Sequence, residues 1–414
     1  MKLKSTALLT VIVMVTANAW PQTTLEGCRE KARNNYPLVR LHDLIDKASG
    51  FTIGNLNRNY WPQLSFSGRA TYQTDVTATP FYTPPKDQFQ LVAEFSQMLW
   101  DGGETAVRKR IETSSATMER SKLEVDLYAL NERVDQLFFG ILLLEGQITQ
   151  IDILRGELRT NADRVRVYIA NGIANQTDLD AIQVEEVNAR QRSISLRTSL
   201  GSFRDMLALF IGESIAGDTV FVRPTLAYPE SIPDPLGRPE LALLDAQGKV
   251  LVERELAVRA SAMPKLSVFA QGLFGQPGLD AMQDGPTLNG LVGLRVSWST
   301  GSLYTRDTSL KALGVERQKI DVQKDVYLFN KRIELRQLMD EIGNLRDLLG
   351  GDAELIELRG RLKKAAEARV ANGALSVTDM LREIDAESLA NQERLLHEIQ
   401  LQMAVRKLMT AAND

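Results

Sequence analysis

The sequence predicts a mainly α-helical chain that carries a small membrane β part and is built from two copies of one unit. Three observations predict this. The segment Ile169-Ala-Asn-Gly-Ile-Ala-Asn-Gln-Thr-Asp-Leu179 returns as Val370-Ala-Asn-Gly-Ala-Leu-Ser-Val-Thr-Asp-Met380, an internal duplication that fixes the architecture. Four short stretches alternate apolar and polar residues with a period of two, and two long stretches lack proline and carry heptads of apolar residues. Each half therefore reads as strand, strand, long helix, tight turn, helix.

The first element is a targeting segment. Lys2 and Lys4 precede an apolar run from Ala7 to Val15, and Ala17-Asn-Ala19 is a small-x-small cleavage site, so residues 1–19 read as a secretory signal peptide. The mature chain then begins near Trp20. No later stretch offers about 20 uninterrupted apolar residues, so any membrane insertion must use strands. Cys28, the single cysteine, lies well past the apolar run, which argues against an N-terminal lipid anchor and excludes an intrachain disulfide. It reads as a small buried apolar residue on a helix. The 414 residues carry a formal net charge of −4, which leaves no basic footprint for nucleic acid.

Thr24 to Asn57 reads as helix interrupted near Pro37, leading into the first repeat at 20–212. Aromatic residues crowd into 51 to 100, among them Phe51, Tyr60, Trp61, Phe66, Tyr72, Phe81, Tyr82, Phe89, Phe95 and Trp100, which marks a zone with a different solvent. Within it Leu64, Phe66, Gly68, Ala70 and Tyr72 alternate with Gln63, Ser65, Ser67, Arg69 and Thr71, predicting a strand over 60–73. A looser alternation predicts a second over 87–100. The second repeat places strands at 264–275 and 287–298. Each is near the 9 to 11 residues that a tilted strand needs to cross a bilayer. Trp61, Trp100 and Trp298 stand at strand ends, either as an interfacial girdle or as caps on a small soluble sheet. Four strands cannot close a barrel, and lipid does not tolerate an open edge, so strands in a membrane require several chains to share one barrel. The connections Thr74 to Lys86 and Gly275 to Pro286 read as exposed loops, and Asp280, Gln283 and Asp284 as solvated loop polarity in preference to a cation site.

The first helical hairpin spans 103–211. Leu123, Leu127, Leu130, Val134, Leu137, Ile141, Leu144, Ile148 and Ile151 form a heptad seam on a helix of roughly 100 Å, and such a seam requires a partner helix. Asn171-Gly172 supplies the helix stop, and Thr177 is the expected cap of the returning helix, with Asp178 in its first turn. Pro224, Pro229, Pro233 and Pro235 exclude continuous helix from the connector at 213–237. In the second repeat, 238–414, Arg238 to Ala260 reads as helix and the hairpin spans 302–412. Its seam holds Val322, Val326, Phe329, Ile333, Leu335, Leu338, Ile342, Leu345 and Leu349, with Gly350-Gly351 expected to kink or loosen the helix. Asn372-Gly373 ends its first helix, Ser376 or Thr378 caps the second, and Asp379 opens it.

Chemistry-bearing motifs are sparse. His42 and His397, the only histidines, lie on predicted helices without metal-ligand or nucleophile spacing, and no Gly-rich phosphate loop occurs. The expectation is no catalytic residue, no cofactor and no metal, with energy for any transport drawn from a partner.

The order of parts, with Thr24-Leu-Glu-Gly-Cys-Arg-Glu-Lys-Ala-Arg-Asn-Asn-Tyr-Pro37, Tyr60-Trp-Pro-Gln-Leu-Ser65 and the two tip motifs, resembles the TolC-like outer-membrane efflux protein family over essentially the whole mature chain. The resemblance implies a homotrimer in which twelve strands close one barrel in outer-membrane lipid and the helices form a long α-barrel across the periplasm. It implies a periplasmic adaptor and an inner-membrane pump of RND or ABC type as partners, and a passive exit duct as function. Arg69, Lys265 and Arg295 would line or rim the lumen. Asp178 and Asp379 match the family's acidic ring at the periplasmic entrance, or else only stabilise helix N-termini by about 0.3 to 1 kcal/mol each. Well-known members carry a second Asp where this chain has Arg382, so a ring of Asp379 and Arg382 either locks subunits by charge pairing or admits different cargo. Asn171, Gly172, Asn372 and Gly373 would dock the adaptor. Small-molecule efflux and one-step, type I protein secretion share this fold. The competing reading is a periplasmic coiled-coil adaptor or scaffold.

Overall fold

A computed structural model describes residues 22–76, 83, 85–225, 227–228, 231, 237–280, 283 and 285–412. The expected signal peptide, Trp20, Phe81, Tyr82, Pro229, Pro233, Pro235 and Asp284 lie outside the described residues.

The chain opens with a two-residue strand, β1 (Gln22–Thr23), and helix α1 (Leu25–Asn35), whose first turn is capped by the Thr24 hydroxyl accepting from the Gly27 amide at 3.2 Å. Pro37 ends that helix, as its fixed φ and missing donor require, and a 3-10 turn over Pro37–Arg40 leads into α2 (Leu41–Asn57). A second 3-10 turn, Arg58–Tyr60, takes the first residues of the strand expected at 60–73, so β2 is Gln63–Tyr72; β3 is Asp87–Trp100. Then come α3 (Glu104–Ala170), α4 (Gln176–Ile211), the short β4 (Val220–Phe221), α5 (Pro239–Ser261), β5 (Lys265–Gln276), β6 (Thr287–Ser297), α6 (Gly301–Ala371) and α7 (Val377–Ala412). The element order expected from the duplication is the one found.

Three differences have physical causes. Helix α6 runs unbroken through Gly350 and Gly351. Each glycine costs a helix about 1 kcal/mol, and flanking contacts offset that: Leu338, Ile342 and Leu345 pack on Leu401, Ala404, Val405 and Leu408 of α7, and His397 Nδ1 meets Asp352 Oδ2 at 2.7 Å. The connector is not wholly irregular, because Val220–Phe221 pairs in parallel with Gln22–Thr23 and drops Phe221 into the core. Finally, α3 includes a stretch apolar enough by length and composition to cross a membrane. Its Phe138, Phe139 and Ile141 are fully buried against α1, α4 and β4, which makes that stretch a core helix.

α3 has 67 residues and α6 has 71, roughly 100 Å each at about 1.5 Å per residue. α3 pairs with α4 and α6 with α7 toward the turns, while α5 packs on both α3 and α6, and α2 packs on α3, toward the sheet. One core joins the two hairpin ends and a second surrounds Phe138 and Cys28; a third seals α6 to α7. The α3 seam residues Leu123, Leu127, Leu130, Val134, Ile141, Ile148 and Ile151 are buried as their spacing requires. The first half of the α6 seam is not. Val322, Val326 and Phe329 are 59%, 52% and 64% exposed within one chain.

Candidate functional site

β2, β3, β5 and β6 form one antiparallel sheet in that order, with β2 and β6 as unpaired edges. Register decides its two faces. Phe66 lies opposite Ala93, Ala93 opposite Gly272 and Gly272 opposite Gly290; Leu64, Phe95, Ala270 and Val292 form the adjacent row. The apolar positions of all four strands therefore coincide on one face. That face has no core behind it: Phe66, Leu288, Val292, Leu294 and Val296 are exposed. A contiguous exposed apolar face of this kind marks a surface that meets another protein or a membrane.

The opposite face carries Gln63, Ser65, Ser67, Arg69 and Thr71 of β2, Gln90 and Glu94 of β3, Gln271 of β5, and Asn289 and Arg295 of β6. Of the three predicted lumen cations, Arg295 donates from Nη1 to Glu94 Oε1 at 2.8 Å and lies over the Phe269 ring at 4.6 Å. Gln271 Nε2 donates to the other Glu94 oxygen at 3.2 Å. Lys265, at the helix end of β5, pairs with Glu104 in the first turn of α3. Arg69 stands exposed in mid-strand opposite Gln90. Glu94 escaped sequence reasoning because the alternation in β3 is loose; its position in register between Ser65 and Gln271 is the missing signal.

Aromatic residues gather at both ends of the sheet. Trp61 precedes β2, Trp100 ends β3 and Trp298 follows β6, so all three lie at the helix-proximal level, each about half exposed. Tyr72, Phe89 and Phe274 mark the far level, with Phe89 and Phe274 edge to face at 6.0 Å. Two aromatic levels thus stand a strand length apart.

The sheet is anchored to α3 by Asp101, which sequence reasoning missed. Its Oδ1 accepts from the Tyr60 hydroxyl at 2.7 Å and the Gly103 amide at 3.0 Å, and its Oδ2 accepts from the Thr105 amide at 2.7 Å. Burial alone would raise its pKa, but the bonds from Thr105, Tyr60 and Gly103 hold the carboxyl below the usual range.

At the other end the two predicted tips lie side by side and share one core, with Val165, Leu179 and Ile182 against Val370, Met380 and Ile384. Lys363 of α6 bridges Glu157 of α3 and Glu387 of α7. Each tip is shaped the same way. The Asn171 and Asn372 side-chain amides donate to the carbonyls of Val167 and Ala368 at 2.8 and 2.9 Å, and Gly172 and Gly373 take the left-handed φ of 72° and 67° that lets the chain turn. The expected cap Thr177 is instead inside the helix. Asn175 caps α4, because its side chain reaches the Asp178 amide at 3.1 Å while Asp178 Oδ2 accepts from the Asn175 amide at 3.0 Å. In the second tip the Ser376 hydroxyl accepts from the Asp379 amide at 3.1 Å and donates to Asp379 Oδ2 at 2.7 Å. Arg382 Nη1 meets Asp379 Oδ1 at 3.1 Å, so within one chain the acid and the base partner each other.

Midway along the helices, Arg238 is buried over the Tyr128 ring at 4.5 Å; it donates to the Thr410 carbonyl at 2.7 Å and pairs with Glu240. Arg29 and Asp135 form a second buried pair beside it. A cavity of about 420 Å³ opens here between α3, α6 and α7. These groups tie the first repeat, through Arg29 and Tyr128, and the start of α5, through Arg238, to Thr410 in the C-terminal turn of α7. His42 meets Glu124 at 3.1 Å, and no group of three or more His, Cys, Asp or Glu among the described residues could hold a metal ion.

No protein-family profile and no curated protein matches the chain. Solved structures do. The outer membrane protein VceC from Vibrio cholerae superposes with a TM-score of 0.68 at 13% identity, over 94% of this chain and 95% of that one. CusC, described with transmembrane channel formation, gives 0.70 at 15% over 95% and 92%. The open state of the MtrE outer membrane channel from Neisseria gonorrhoeae gives 0.65 at 13% over 94% and 88%. The TolC-like fold is thus the fold of this chain over nearly its whole length.

Proposed function

We propose that this chain is one subunit of an outer-membrane efflux channel, a homotrimer that serves as the exit duct of a tripartite export system. The observation that carries the reading is the sheet: one face apolar and exposed, the other polar, both edges unpaired, set on helices roughly 100 Å long. An unpaired edge is not stable in lipid, and three copies of four strands remove every edge by closing one barrel. The exposed seam Val322, Val326 and Phe329 on α6, and Leu44 and Phe51 on α2, support association along the helices as well. In this reading the aromatic levels meet the two lipid interfaces, and the polar face lines the lumen. Asp178, Asp379 and Arg382 narrow the periplasmic entrance, Asn171, Gly172, Asn372 and Gly373 meet a periplasmic adaptor, and an inner-membrane pump supplies the energy. The chain itself performs no chemistry on its cargo.

The test is the mass and membrane location of the detergent-extracted protein after density separation of inner and outer membranes. The full chain is 46.1 kDa, and three copies without the expected signal peptide of residues 1–19 make a trimer of about 130 kDa in the outer membrane, which is the expected result. A periplasmic species that stays soluble without detergent refutes the channel and returns the coiled-coil scaffold.

A further inference from the structure

The polar face of the sheet is not electrically balanced. The four strands contain two acidic residues, Asp87 and Glu94. Asp87 falls opposite Tyr72, on the apolar face at its far end, so Glu94 is the one acid on the polar face. Against it stand Arg69, Lys265 and Arg295. Glu94 is committed to Arg295 and Gln271, and Lys265 is committed to Glu104. Arg69 remains without a counter-charge among the described residues. Its cross-strand partner is Gln90, and the next residue in that row is Gly275, which has no side chain to reach it. Its other flank is the free edge of the sheet.

Closing the barrel does not change this. In the trimer proposed above, on which this step rests, the strand added beside β2 is β6 of the next subunit, and Thr287–Ser297 contains no acidic residue. Three guanidinium groups then stand at one level of the lumen, with no carboxylate on the strands beside them among the described residues. A guanidinium stays protonated at any physiological pH and offers paired donors that match carboxylate, phosphate and sulfate oxygens. Low-dielectric walls concentrate the field of such a ring inside the channel.

We infer that Arg69 forms an anion-selective ring in the barrel lumen, and that the exit end of the duct favours small acidic solutes, carboxylates and oxyanions, over cations. The selectivity acts through space, so it depends on salt. The screening length is about 30 Å at 0.01 M and about 3 Å at 1 M, so the ring acts across a lumen in dilute salt and only at its wall in concentrated salt.

The experiment is the zero-current potential of the purified full-length protein in planar bilayers under a tenfold KCl gradient, taken near 10 mM and repeated near 1 M. Arg69→Gln shifts the potential toward the potassium side relative to wild type, Arg69→Glu shifts it further the same way, and Arg69→Lys leaves it near wild type. Glu94→Gln releases Arg295 and shifts it toward chloride. All shifts shrink at high salt. Each variant is first shown to run as the wild-type oligomer with wild-type helical circular dichroism. If Arg69→Gln and Arg69→Glu conduct but keep the wild-type potential, the ring is overturned while the channel stands. If no protein forms pores, the channel reading fails and takes the ring with it.

Discussion

Replacing Asp101 tests how the sheet is held to the helices. The carboxylate is buried, 5% exposed, and its two oxygens accept three hydrogen bonds, one from Tyr60 and two from backbone amides at the start of α3. Losing a helix cap costs about 0.5 to 2 kcal/mol. Losing a hydrogen bond to a charged partner costs about 1.5 to 3 kcal/mol. The two overlap, since all three donors share one carboxylate, so Asp101→Ala should cost about 2 to 4 kcal/mol. Asp101→Asn keeps one acceptor but turns an NH2 toward either the Thr105 amide or the Tyr60 hydroxyl, and should cost about 1 to 3 kcal/mol. Tyr60→Phe removes one donor and leaves the cap, so its cost should be smaller than that of Asp101→Ala. The readout is the denaturant midpoint of the detergent-solubilised protein for the wild type, the single variants and the Tyr60→Phe, Asp101→Ala double variant, whose loss should fall short of the summed singles. The pH dependence has a definite sign. A carboxyl whose folded pKa lies below its unfolded value of about 3.9 contributes stability above that value and loses it as pH falls through the folded pKa. The gap between wild type and Asp101→Ala should stay constant from about pH 5 to 8 and close below about pH 4. A gap under about 0.5 kcal/mol at neutral pH, or strict additivity of the double variant, refutes the reasoning.

Other outcomes follow from the same structure. Asn175→Ala should destabilise the first tip by about 1 kcal/mol while Thr177→Ala is nearly neutral, measured as hydrogen-exchange protection over 176–182; the reverse order would restore Thr177 as the cap. Replacing Asp379 and Arg382 with Ala should raise single-channel conductance, and unchanged conductance would remove them from the gate. Burial pushes the Cys28 thiol up to about 11, so maleimide should label it only in denaturant; rapid labelling of the folded protein would contradict the core around Phe138. Phe138→Ala, at a fully buried ring edge-on to Phe139 and Phe221, should cost about 3 to 5 kcal/mol in the same denaturation assay.

Much of this architecture was legible because it is periodic. A period of two held through Leu64 to Tyr72 places β2 and its faces, and spacings of three and four from Leu123 to Ile151 place α3. The tips were legible because their sequence occurs twice and Asn-Gly has a conformational meaning by itself. What escaped was set by partners distant in sequence. Asp101 reads as a loop acid until Tyr60, 41 residues earlier, is brought to it. Glu94 gains its role from Gln271 and Arg295 on two other strands. The two-residue β4 carries no periodic signal, and α6 stays helical through Gly350-Gly351 because its packing on α7 outweighs local propensity.

The two repeats share a plan but are not held equally. In the first, Gly102 and Gly103 both take left-handed φ, of 72° and 85°, and Asp101 caps the helix they open. Gly102 also sits against the end of α5: a Cβ there would come within 2.6 Å of Met263 Cβ and 3.3 Å of the Ala260 carbonyl. A larger residue at 102 would therefore both strain the backbone and part β3 from α5. The matching position in the second repeat has none of this. Thr300 lies in the right-handed region with no side-chain cap, and a Cβ at Gly301 would meet nothing within 4 Å. Trp298 ties that junction through one bond, Nε1 to the Ala262 carbonyl at 3.0 Å. Both long helices thus leave the sheet beside the same turn, residues 260–264, the first through the Gly102 contact and the Asp101 cap, the second through the Trp298 indole bond to Ala262. Duplication accounts for where the elements lie; the residues that differ between the copies determine how firmly each helix follows the sheet.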